Sequence, residues 1–129
     1  MGAEVVQNGL EFLRNQFDTT YGHDHIGTSD TATGDSQTGL QGTTVDSTPV
    51  SWSDSAPNSY TRRANTTATH TGDAITGGSG SETVWEAGVF AGSATPGTDM
   101  YARGVFSSAA VVEPGDTLEV TWDVDFSNQ

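Results

Sequence analysis

The sequence predicts an all-β protein: an antiparallel β-sandwich of jelly-roll-like form, preceded by a short N-terminal α-helix. Three observations carry this. Leu118, Val120, Trp122, Val124 and Phe126 alternate without a miss with Glu119, Thr121, Asp123 and Asp125, the period of a strand with one buried and one wet face. Turn chemistry punctuates the apolar segments, at Thr95-Pro96-Gly97-Thr98 and at Glu113-Pro114-Gly115-Asp116, where Pro and Gly stand as a type II turn requires. Helical spacing is read in one segment, residues 4–17, where Val6, Leu10, Leu13 and Phe17 fall on one stripe.

The elements follow in order. Residues 1–20 form a helix or anchor and residues 21–129 the sandwich domain. Glu4 near the start of the helix and Arg14 near its end suit the helix dipole, while Gly9 weakens it by about 1 kcal/mol against Ala. Such a helix is too short to stand alone and docks on its own domain or on a neighbouring subunit. Segment 60–70 is rich in threonine and reads as a strand. Segments 83–91 and 100–112 are strands that continue into 117–126 as a three-stranded meander, with Trp85, Ala87 and Val89 facing the core. Segments 28–59 and 71–82 are rich in Ser, Thr, Gly and Asp and read as loops or short edge strands. A domain rarely keeps about 30 residues without structure, so a strand is expected around 45–52.

Composition narrows the function. The 129 residues suit one domain, and with 33% hydrophobic residues its core must be thin. Without cysteine there is no disulfide framework and no thiolate metal site. No apolar run reaches the roughly 18 residues of a membrane span, and Met1-Gly2-Ala3-Glu4 does not begin like a secretion signal; a soluble product made in the cytoplasm is expected. Seventeen acidic residues face four arginines and no lysine, a net charge of −13. That balance provides no basic footprint for nucleic acid. It fits a protein adapted to concentrated salt, where the screening length falls to about 3 Å at 1 M and carboxylates keep the surface hydrated.

Candidate chemistry is sparse. His23 and His25 flank Asp24 and would project to the same side of a strand, so a transition metal is one reading and a hydrogen-bonded polar strand end the other. His70 is too distant in sequence to be assigned to them. Serine-hydrolase chemistry lacks a Gly-x-Ser-x-Gly elbow. Gly77-Gly78-Ser79-Gly80-Ser81 lacks the Gly-Lys-Ser/Thr ending of a phosphate loop and leads into a strand, so it is a flexible connection. Asn65-Thr66-Thr67 matches a glycosylation sequon. Arg62-Arg63 reads as a local ion pair or as a contact with a neighbouring subunit. Of the three tryptophans, Trp122 lies in the apolar phase of its strand, and Trp52, in a Ser-rich loop, is the candidate glycan platform. No catalytic residues and no cofactor are expected beyond loosely bound cations.

Five motifs occur in a familiar order. Asp24-His25-Ile26-Gly27-Thr28 is followed by a Thr/Ser/Asp-rich stretch to Thr38-Gly39-Leu40, and later comes Tyr60-Thr61-Arg62. Trp85-Glu86-Ala87-Gly88-Val89-Phe90 precedes Met100-Tyr101-Ala102-Arg103-Gly104-Val105-Phe106. The chain closes on Gly115-Asp116-Thr117-Leu118-Glu119-Val120-Thr121-Trp122-Asp123-Val124-Asp125-Phe126. This set, spanning about 23–126, resembles small structural proteins of tailed viruses, head-decoration or turret proteins and tail-fibre parts; the paired Gly-Thr units of that family are replaced at Gly27–Asp35, and the 43–58 loop differs. The resemblance implies a non-enzymatic virion component, and the acidic composition points to a virus of a halophilic archaeon. A homo-oligomer, trimer or pentamer, is expected, held through the stripe Val6, Leu10, Leu13 and Phe17 and contacting other virion proteins such as the major capsid protein. No membrane or nucleic-acid partner is expected. A head position is favoured over a tail-fibre or baseplate one, with a carbohydrate-binding adhesion module as the competing function.

Overall fold

A computed structural model describes residues 6–94 and 99–127; Glu4 and the Thr95-Pro96-Gly97-Thr98 turn lie outside the described residues. Helix α1 (Gln7–Thr20) leads into β1 (His23–Gly27), β2 (Thr44–Pro49), β3 (Ser53–Asn58) and β4 (Thr61–Thr71). A one-turn helix α2 (Gly72–Thr76) then precedes β5 (Glu82–Phe90), β6 (Met100–Val112) and β7 (Thr117–Ser127). The strands form two antiparallel sheets, a four-stranded one ordered β2-β1-β5-β6 and a three-stranded one ordered β3-β4-β7. The sandwich and its leading helix are as the sequence predicts.

The inner faces follow from residue alternation. On β4, Ala64, Thr66, Ala68 and His70 are buried between more exposed neighbours, and on β7 the Leu118-to-Phe126 series faces the same way. β4 and β7 pair over their whole length, Thr61 opposite Ser127 to Thr71 opposite Thr117. Ile26, Ala68, Ile75, Val84, Ala87, Val112 and Val120 form one core cluster; Phe17, Ala64 and Val89 form a second, flanked by Tyr21, Trp52, Trp122, Val124 and Phe126.

The meander is corrected. β5 and β6 form the expected hairpin, but β7 leaves that sheet and pairs with β4. The turn responsible is the predicted one: Gly115 has φ +90° and the Asp116 N–H donates to the Glu113 carbonyl at 3.0 Å. Gly72 packs against this turn so closely that a Cβ would lie 2.0 Å from the Glu113 carbonyl oxygen, and its N–H donates to Asp116 O at 2.7 Å. That contact closes the end of the sandwich. Within 71–82 the chain makes a helix instead of a loop or strand, because Thr71 Oγ1 caps the Ala74 N–H and Gly77 takes the left-handed C-terminal position.

Along β5 the expected inward set changes at a bulge. Pairing moves from Val84–Ala110 to Glu86–Val105, so residues 106–109 face Trp85 alone. Val84, Ala87 and Val89 point into the core, whereas Trp85 is half-buried outside both clusters. The bulge also interrupts the free edge of β6, a usual protection against edge-to-edge pairing.

The helix stripe is corrected as well. Leu10 and Phe17 are buried, but the third buried residue is Arg14; Val6 and Leu13 are exposed. Arg14 lies in mid-helix and not at its end, because α1 continues to Thr20. The helix is rotated so that Leu10, Arg14 and Phe17 meet its own domain. Phe17 stands edge-on to Trp52 and Tyr101, each at 4.7 Å between ring centroids. Burying Leu10 and Phe17 contributes roughly 1.5–3 kcal/mol each. The helix thus completes the second core cluster and is part of the sandwich rather than an appendage.

Candidate functional site

Two buried ionic networks hold the polar chemistry of the described residues. The first bridges the sheets. β1 turns Asp24 inward beside Ile26, β2 contributes Asp46, and β4 and β7 bring His70 and Trp122 from the opposite sheet. His70 lies between the carboxylates, Nε2 at 2.6 Å from Asp24 Oδ2 and Nδ1 at 2.6 Å from Asp46 Oδ2. Trp122 Nε1 donates to the remaining Asp24 oxygen at 2.7 Å. Flanked by an acceptor at each ring nitrogen, His70 has the geometry in which a protonated imidazole donates to both carboxylates. Burial pushes the His70 pKa down, but the hydrogen bonds and charges of Asp24 and Asp46 outweigh it and hold the pKa above the usual imidazole value. The His70 and Asp24 side chains are essentially without solvent exposure. Chemically the arrangement stores a proton and locks the two sheets.

The second network lies on the outer face of the four-stranded sheet, beneath the segment from 28 to 43. Glu86 of β5 is completely buried and accepts four bonds: from Arg103 Nε and the Gln41 N–H at Oε1, each 2.8 Å, and from the Ser29 and Gly42 N–H groups at Oε2, 2.8 and 2.9 Å. Arg103 of β6 in turn donates to the carbonyls of Thr31 and Ser29 and to Gln37 Oε1. Burial raises the Glu86 pKa, but the Arg103 and backbone N–H bonds lower it further, leaving it below the ordinary carboxylate value. A segment with no regular structure is thereby fixed by one carboxylate and one guanidinium. At Gly42 a Cβ would come within 2.9 Å of Glu86 Oε2, so that close approach requires glycine.

The residues singled out in the sequence are distributed differently. His23 and His25 do share the outer face of β1, yet they do not converge on a metal cluster: among the described residues no three His, Asp or Glu side chains are placed to hold an ion. The His25 ring stacks on Phe90 at 4.0 Å between centroids, and Nε2 donates to the Gly92 carbonyl at 2.8 Å; burial lowers its pKa. His70, separated from Asp24 by 46 positions, is the histidine that meets the carboxylate of this motif. Trp52 is half-buried and packed: its Nε1 donates to the Tyr21 carbonyl at 2.6 Å and its ring abuts Phe17. Arg63 forms the local ion pair, bidentate to Asp125 directly opposite on β7 at 2.7 and 3.1 Å. Asn65 of the sequon lies on β4, the central strand of its sheet, and lines an open groove of 540 Å³ with Ser51, Ser53, Thr67, Thr121 and Asp123. Gly77, Gly78 and Gly80 all have positive φ, in keeping with a connection that leads into β5.

Sequence reasoning missed the roles of Asp46, Glu86, Arg103 and His70. One signal was present: Glu86 interrupts the apolar run from Val84 to Phe90, and Arg103 is the one basic residue of the strand beside it. A carboxylate in such a run is buried at high cost unless a cation and several donors meet it.

Fold and site together define a β-sandwich with two buried ionic networks, one between its sheets and one on the outer face of the larger sheet. No family model, curated protein or solved structure matches the chain.

Proposed function

We propose that this chain is a non-enzymatic structural protein on the exterior of a tailed virus of a halophilic archaeon, a capsid-decorating or turret protein that works as a homo-oligomer against other virion proteins. The observation that carries this reading is where the residues of the viral resemblance fall. Asp24 of the first motif bonds Trp122 of the last, and Glu86 of the third bonds Arg103 of the segment after it. Four of the five ordered motifs are thus joined pairwise by bonds within the sandwich, as expected if they encode one shared building block. The acidic surface suits a particle exposed to brine, where short-range screening removes self-repulsion.

The test is the protein content of purified particles. Mass spectrometry should find the chain at a copy number in the hundreds, and labelled antibody should decorate the head. Label confined to the tail would transfer the same subunit to a fibre or baseplate. Absence from the particle, or turnover of a substrate by the pure protein, would overturn the reading.

A further inference from the structure

Helix α1 has two flanks of opposite character. Glu11, Arg14 and Asp18 follow one another at helical spacing on the flank that meets β3, where Arg14 Nε lies 3.1 Å from Asp54 Oδ1. The other flank carries Val6, Gly9, Leu13, Gln16 and Thr20, again three or four residues apart, with Phe12 beside Gly9 and Gln16. None of these six is charged. Val6, Phe12 and Leu13 are 64%, 61% and 45% exposed. They account for half of the large apolar residues exposed in the described chain, and Tyr101, 45% exposed and packed on Phe17, stands close to the helix. The helix cannot hide this flank by rotating, because Leu10 and Phe17 fix its seat.

We infer that the Val6–Phe12–Leu13 flank of α1 is a self-association surface, occupied by the same flank of a second copy of the chain. Charge selects the occupant. In brine the long-range repulsion is screened, and what remains is the cost of stripping water from carboxylates at contact; two bodies of net charge −13 therefore meet most readily where neither presents one. Nucleic acid and anionic lipid would have to desolvate their phosphates against a flank that offers no cation. A cationic partner would be drawn to carboxylates, of which this flank has none. An uncharged apolar flank is complementary to itself, and Gly9 and Gln16, between the larger side chains, leave room for helices to approach at the usual 8–10 Å. The bulged edge of β6 is the poorer interface for the reason given above. This surface supplies the assembly contact of the proposed structural role, and rests on that role for its purpose.

The full-length protein in concentrated NaCl provides the test. Light scattering at about 100 µM should give a multiple of the 13.4 kDa chain mass, and the double variant Phe12→Glu, Leu13→Glu should give the monomer with its melting transition retained. Because the chain has no cysteine, Gln16→Cys should cross-link on oxidation and Glu113→Cys, in the distant turn, should not. Should the double variant fail to fold, that cysteine pair decides. A monomeric unaltered chain, an oligomer that survives the double variant, or equal cross-linking at both cysteines would overturn the inference. A monomer whose flank variants lose attachment to particles would also overturn it, with another particle protein as the occupant. An oligomer held by this flank but absent from particles would leave the interface standing and remove the virion role.

Discussion

The indole of Trp122, on the edge strand of the three-stranded sheet, donates its hydrogen bond to Asp24 of the other sheet, 2.7 Å away and 98 residues earlier in the chain. Asp24 uses its second oxygen for His70. Each carboxylate oxygen therefore has one donor, and a buried charge is tolerated because none of its acceptors is idle. Trp122→Phe retains most of the ring but removes the donor. It should destabilise the fold by about 1–3 kcal/mol, the cost of an unsatisfied buried acceptor, measured by chemical denaturation in constant salt. A neutral result would mean that Asp24 finds another donor.

His70 sets a pH dependence whose sign can be worked out. Its folded pKa lies above the ordinary 6.5, so the folded state binds the proton more tightly than the unfolded chain. The stabilisation is complete below about pH 6.5 and is lost as pH rises through the folded value. At alkaline pH the neutral ring leaves Asp24 and Asp46 with one proton fewer between them. NMR titration should place the His70 midpoint above that of His25, which burial lowers. The stability difference between the unaltered protein and His70→Asn should shrink between pH 6 and 9. A difference constant across that range would contradict the assignment of an imidazolium.

Glu86 acts in the opposite direction. Its folded pKa is depressed, so its contribution is present above the ordinary carboxylate value and fades as pH falls through the folded one. Glu86→Gln leaves Arg103 buried without its counter-charge, and breaking such a pair costs about 3–5 kcal/mol. The amide nitrogen cannot accept, so where it replaces Oε2 the segment from 28 to 43 also loses its anchors at the Ser29 and Gly42 N–H groups. Limited proteolysis should then cut within that segment before any strand, whereas in the unaltered protein it should resist. Cleavage elsewhere first would show that the segment is held by other contacts.

What the sequence disclosed and what it withheld divide along physical lines. The β7 alternation and the bounds of β6 were legible because a one-sided strand writes its period into adjacent residues. β3, Ser53–Asn58, is exposed throughout and includes Pro57, so it leaves no apolar period to find. α2 depends on a cap at Thr71 and on the absence of a side chain at Gly72, both of which only acquire meaning beside the turn at Glu113. The stripe on α1 was read correctly at Leu10 and Phe17, but the apolar Val6 and Leu13 lost the buried position to Arg14, whose partner Asp54 is 40 residues away. Long-range pairs such as Asp24 with His70 have no local signature. Only the misplaced charge of Glu86 pointed beyond its own neighbourhood.

Asp18 provides the last prediction, and it concerns a substitution that should strengthen the protein. Burial at the α1–β3 contact, followed by the hydrogen bond and negative charge of Asp54, raises its pKa from 3.8 to about 6, against the partial relief of Arg14. For an acid, a raised folded pKa means that the folded state prefers the protonated form. Stability is therefore highest below about pH 4 for this group and declines as pH rises through 6, where two carboxylates oppose each other. Asp18→Asn removes the repulsion while an amide N–H can still donate to Asp54. The melting temperature should rise by a few degrees at pH 7.5 and hardly change at pH 4.5. Because Asp54 is partly exposed, screening limits the gain to about 1 kcal/mol, and it should shrink from 0.1 M to 3 M NaCl. A loss of stability at pH 7.5 would mean that the Asp18 carboxylate is needed by Arg14 more than it is opposed by Asp54.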